Sequence, residues 1–234
     1  MRKTVVPKYL LPILLGLALP AGCQVPEMFR RDADPYDESQ YGMTSQQQAD
    51  RLKVLAEEAD SLAEAEQQRV SEQLYRELGQ EESPILRLYM VRALRRLRAP
   101  AADAALAVAT GDQDRDVKIE ACRALGDRPG PESLRVLTEV VGSESDIDVR
   151  LAATRSLGKM NNPQAVPGLA IALDDPDPAL QRRAVEGLKD VTGQELGNDV
   201  VAWQQYVKGE TPALRGRENK VAEGSLTDRF LPWR

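Results

Sequence analysis

The chain has 234 residues, 42% hydrophobic but only 4% aromatic, which suits one elongated domain with tails rather than a thick globular core. Its formal charge is −6, and about −9 without the first 22 residues, which argues against nucleic acid as a partner. It contains no histidine, so the commonest general base and the commonest metal ligand are both missing; two distant cysteines, Cys23 and Cys122, supply no zinc set.

Residues 1–22 read as a signal segment, with basic Arg2 and Lys3 ahead of an apolar run from about Tyr9 to Leu19 that is short for a bilayer span. The run ends Leu19-Pro20-Ala21-Gly22-Cys23, which resembles a bacterial lipobox, although Pro20 stands where leucine is usual. That resemblance implies acylation of the Cys23 thiol and a lipid-anchored, periplasm-facing protein of the bacterial envelope. Gln24 after the cysteine, in place of Asp, implies the outer membrane more than the inner one. A plainly cleaved leader and an uncleaved anchor are the alternatives. Residues 23–43, with Arg30, Asp32, Asp34, Pro35 and Glu38, have little to bury and read as a flexible tether. A partner-binding segment around Met28-Phe29-Arg30 is the other reading.

A helical region rich in Ala, Glu, Gln and Leu begins at Thr44 or Ser45 and reaches Leu78. Leu52, Leu55, Ala59 and Leu62 have the spacing of a coiled-coil seam, which breaks at Glu66. The register of the repeats that follow explains them better, since Leu62 lies 32 before Leu94 and Leu74 lies 12 after Leu62. Residues 44–80 therefore read as a degenerate, polar-faced cap repeat, with a dimerising coiled coil as the alternative.

From about 83 to 207 one pattern returns every 31 or so residues, in units predicted at 83–112, 113–144, 145–176 and 177–207. Its marker leucines are Leu94, Leu125, Leu157 and Leu188. Eight residues before each stands an aliphatic residue (Leu86, Val117, Val149, Leu180), and one before stands a small one (Ala93, Ala124, Ser156, Gly187). Pro100, Pro131 and Pro163, six after the first three markers, predict the start of a second helix, because proline is favoured in a helix's first turn. Gly130 and Asn162 are acceptable N-caps there. Leu106, Leu137 and Leu169 follow on its apolar face. Asp114, Asp146 and Asp177, in acidic turns between units, are placed to cap the next first helix.

Such a unit resembles a HEAT repeat, and more closely the short HEAT-like repeats first associated with phycobilisome lyases; residues 148–158 and 163–173 carry the likeness. The expected fold is all-α, an α-solenoid of about five stacked helix pairs. Two cationic groups stand out as candidate sites. Arg92, Arg95, Arg96 and Arg98 crowd one helix, as an anion or partner face or as a solvated face paired with acids. Arg87, Lys118 and Arg150 form a column seven before the markers, broken by Gln181, and read as an internal ladder with the acidic turns or as an acidic-ligand groove. Trp203 and Tyr206 share a helix face that seals the end of the stack, and Cys122 reads as a packing residue. Residues 208–234 read as a flexible tail ending in Phe230 and Trp233, which either fold back or dock elsewhere.

No nucleophile–base pair, phosphate loop or metal motif is present in the sequence, so neither enzyme chemistry nor a cofactor is expected. The expected function is a membrane-tethered scaffold that holds a protein or peptide on its second helices. A self-associating envelope protein and, by fold likeness alone, a bilin-lyase-like enzyme are the alternatives. Partner identity and oligomeric state are not written in these residues.

Overall fold

Six of the ten described α-helices begin at a residue whose side chain accepts a free backbone N–H. Thr44 accepts the Gln47 N–H while the Gln47 side chain takes the Thr44 N–H at 2.9 Å, a reciprocal cap that starts α1 (Ser45–Glu58). The computed structural model describes residues 43–212, and every regular element among them is helical. A 3-10 turn, Ala59–Ser61, leads into α2 (Glu64–Leu78). The pairs α3 (Pro84–Arg96) and α4 (Pro100–Ala109), α5 (Arg115–Gly126) and α6 (Pro131–Ser143) follow. Two more pairs complete the stack: α7 (Ile147–Lys159) with α8 (Val166–Leu173), and α9 (Pro178–Thr192) with α10 (Val200–Val207).

Asp114, Asp146 and Asp177 cap α5, α7 and α9, each side chain accepting two backbone N–H bonds. Pro100 and Pro131 open α4 and α6 as the spacing predicts. Pro163 differs: it opens a 3-10 turn, Pro163–Ala165, and α8 starts only at Val166. The cause is Pro167. An α-helix begun at Pro163 would need the Pro167 nitrogen as a donor to the Pro163 carbonyl, and proline has no N–H to give.

The first helices α1, α3, α5, α7 and α9 pack one on the next, and so do the second helices α2, α4, α6, α8 and α10. The described residues thus form an all-α solenoid of five helix pairs in two layers. All the marker leucines are buried between the layers, as are Leu86, Val117, Val149 and Leu180, and Leu106, Leu137 and Leu169. In the first pair Ala59, Leu62 and Leu74 are buried too, while Leu52 and Leu55 are half-buried, with α1 packed on α3. The seam-like face of α1 is therefore used within the stack.

The small column has a steric reason. A Cβ on Gly158 of α7 would lie 2.7 Å from the Gly187 Cα of α9, and one on Gly126 would lie 2.8 Å from Ser156. At the last pair, Trp203 is fully buried, its Nε1–H donates to the Gly197 carbonyl at 3.0 Å, and Tyr206 meets it edge-on at 5.7 Å. Cys122 is buried as a free thiol, which desolvation pushes up to about 12, so it packs and does not react.

Candidate functional site

The cationic column resolves into a relay that recurs in three consecutive repeats. Arg87 on α3 grips Asp112 through two bonds of 2.8 Å; Lys118 on α5 reaches Glu144 at 2.7 Å; Arg150 on α7 pairs with Asp175. Each acid lies in the turn after that repeat's second helix and also accepts the N–H of the residue that caps the next first helix: Asp114, Asp146 or Asp177. Gln181 has no charge, yet its side-chain amide donates to the Asp175 carbonyl at 2.7 Å and keeps the column's place. Cation, acid, cap and helix are thus joined in one chain of charge-assisted bonds.

The electrostatics follow from those bonds. Lys118 first, then the Asp146 N–H, lower the Glu144 carboxyl to about 2. The Asp177 N–H, with Arg150, likewise lowers Asp175, and although partial burial pushes Asp112 up, Arg87 and the Asp114 N–H bring it below its ordinary value. Arg87 also donates to the carbonyls of Glu81 and Glu82, and Arg150 to that of Val141. These side chains are largely buried and their donors are spent internally, so the column has little left to offer a ligand.

The arginine cluster behaves differently, and it does not share one helix as the sequence suggests: α3 ends at Arg96, Leu97 turns extended, and Arg98 stands beyond the helix end. Arg92, Arg95, Arg96 and Arg98 line one open cleft of about 710 Å³ on the first-helix layer, together with Ala56, Glu57, Glu120 and Asp127. Arg95 is committed to Asp127 at 2.6 Å and Glu120 at 3.1 Å, and Asp127 is shared with Lys159 one repeat further on. Arg96 is paired with Asp60 at 2.6 Å. Arg92 has no carboxylate partner among the described residues and lies 5.3 Å from the Tyr89 ring centroid, which Lys53 also approaches at 5.1 Å. The Arg98 backbone N–H bonds Gln67, while its guanidinium has no ion-pair partner among the described residues.

A third surface belongs to the second helices. Val108 on α4, Ile171 on α8 and Val201 on α10 are 57%, 42% and 45% exposed. α8 carries no charged residue, and the Ile171 side chain lies 3.9 Å from where a Cβ on Gly142 of α6 would stand, so two repeats share that apolar surface. Arg135, on α6, is occupied by Glu132 and Glu139 of its own helix.

Sequence reasoning set the cationic column against the acidic turns, and the structure pairs them so; it did not single out which acid of each turn answers, namely Asp112, Glu144 and Asp175. The signal existed, since each stands two before its capping aspartate. It also missed Arg128, which pairs with Asp103 and donates to the carbonyls of Leu94, Arg95 and Leu97 at the end of α3. Cys23, Phe230 and Trp233 lie outside the described residues. No described helix is long and apolar enough to cross a membrane, and no group of three or more Cys, Asp or Glu among the described residues could hold a metal ion.

A search of curated proteins finds no match to the chain. A family model of HEAT repeats matches residues 71–158 and 142–202, together more than half of the sequence. The matched span covers most of α2 and all of α3 to α9, whose helix pairing, stacked layers and recurrent relay are those of one repeated unit. The chain belongs to the family of HEAT-repeat proteins.

Proposed function

We propose that the protein is a non-catalytic, protein-binding scaffold, held at a bacterial membrane by lipid on Cys23, with its partner seated on the second-helix layer. HEAT repeats generally mediate protein–protein interaction. The observation that carries the placement is the uncharged helix α8, whose exposed Ile171 stands against Gly142 at the end of α6, with Val108 and Val201 exposed on flanking second helices. Large aliphatic side chains left in water on packed helices are an unused source of binding energy, at about 25 cal/mol per Å² of apolar area covered. The sequence supports the tether through its lipobox-like Ala21-Gly22-Cys23.

The test is crosslinked affinity purification of the tagged full chain from its native envelope, beside Cys23→Ser and the double variant Val108→Asp/Ile171→Asp. One partner should be recovered in near-stoichiometric amount with the wild type and lost with the double variant, and Cys23→Ser should move the protein out of the membrane fraction. Equal recovery with the aspartate variant would refute the second-helix site. Retention of Cys23→Ser in the membrane would refute the lipid tether, and recovery of further copies alone would replace the scaffold with self-association.

A further inference from the structure

The cleft on the first-helix layer is independent of that surface. We propose that it is a docking site for an acidic segment of a partner protein, one that carries a carboxylate beside an apolar side chain. The cleft continues into a second hollow of about 350 Å³ lined by Leu52, Lys53, Ala56, Glu57, Tyr89 and Arg92. Ala56, Glu57 and Arg92 belong to both, so the two form one groove with an apolar half and a cationic half.

Of the groove's cations, Lys53, Arg95 and Arg96 are neutralised by Asp50, by Asp127 with Glu120, and by Asp60. Arg92 and Arg98 have no ion-pair partner among the described residues. Arg92 has one face against the Tyr89 ring, which holds the planar guanidinium without using its N–H donors. Two guanidiniums with free donors, on a chain whose overall charge is −6, set a local demand for carboxylates that the described residues do not meet. The Leu52 and Tyr89 hollow next to Arg92 takes an aliphatic or aromatic side chain.

The same walls exclude a nucleic acid. Glu57, Glu120 and Asp127 line the groove beside the arginines, and a strand whose phosphates recur every few ångströms could not avoid them. A peptide places its carboxylates singly, with neutral residues between. Glu57, which has no ion pair among the described residues, further favours a segment whose charges are spaced rather than clustered.

The experiment selects short random peptides displayed on phage against the full chain and against Arg92→Ala/Arg98→Ala. Neither arginine makes an ion pair among the described residues, so the double variant should keep close to the wild-type thermal melt. Peptides enriched on the wild type should carry Asp or Glu next to a large apolar residue. Their affinity, measured by fluorescence anisotropy with the synthesised peptides, should fall about tenfold or more in the double variant, in line with one lost charge-assisted contact. It should also weaken as salt rises, and should be unmoved by Val108→Asp/Ile171→Asp or by Arg135→Ala. Enrichment of peptides without acids, no enrichment, or equal affinity for the double variant would overturn the proposal. Tighter binding of a single-stranded oligonucleotide than of the selected peptides would overturn it as well. Because the second-helix variant is an arm of both experiments, either site can fail while the other stands.

Discussion

Glu144 shows what a single carboxyl does in the relay. Its pKa falls from the ordinary 4.5 to about 2 because Lys118 and the Asp146 N–H bind its charged form. A depressed folded-state pKa means that the native state holds fewer protons than the unfolded chain between those values. The stabilisation is therefore whole above 4.5 and is lost as pH falls toward 2. Glu144→Gln should lower the urea midpoint at neutral pH and flatten the decline of stability across that window, while the slope with denaturant stays unchanged. Urea melts of both proteins through the acid range check this; parallel pH curves would show that the relay does not couple Glu144 to folding. The residue is legible in the sequence only as one acid among several in a turn. Which acid meets the lysine depends on where α6 ends and α7 begins, and that is decided by packing.

At the scale of elements, the helix crossings separate two kinds of glycine. Gly158 faces the Gly187 backbone so closely that a Cβ would lie 2.7 Å from its Cα, with no flexible side chain to yield. Gly142, also helical, would place its Cβ at an ordinary 3.9 Å from Ile171. Helix propensity alone makes either glycine-to-alanine change favourable by about 1 kcal/mol. Gly142→Ala should therefore stabilise by up to about that amount, whereas Gly158→Ala should destabilise by about 1–3 kcal/mol because α7 and α9 must separate. Thermal or urea unfolding of the pair reads the opposite signs; the same sign for both would refute the crossing argument. The small column is visible in the sequence at 93, 124, 156 and 187, but its cause is an interhelical distance.

For the whole molecule, each pair contacts chiefly its neighbours, so stability adds along the stack and the ends are its weak points. Trp203 seals one end, fully buried and bonded to Gly197. Trp203→Ala should cost about 3–5 kcal/mol locally. Hydrogen exchange should quicken most in α10, α9 and α8 and least in α3 and α4; a uniform change along the chain would mean that the stack unfolds as one unit. The two candidate surfaces can be tested apart because one lies on the first helices α1, α3 and α5 and the other on the second helices α4, α6, α8 and α10.

The sequence by itself determined the unit, its period of about 31, the helical class, the caps at Asp114, Asp146 and Asp177, and the burial of the marker leucines. These are local properties: apolar spacing, proline position and N-cap chemistry act within a few residues, so a linear reading reaches them. Tertiary structure alone decided which acids answer the cationic column, that Arg128 caps α3 from the next repeat, and that Arg92 and Arg98 find no ion-pair partner among the described residues while Arg95 and Arg96 do. Those partners stand some 25 to 36 positions apart, roughly one turn of the solenoid. A contact at that separation is set by how one helix pair sits on the next, which side-chain packing across the layers decides and local propensity does not.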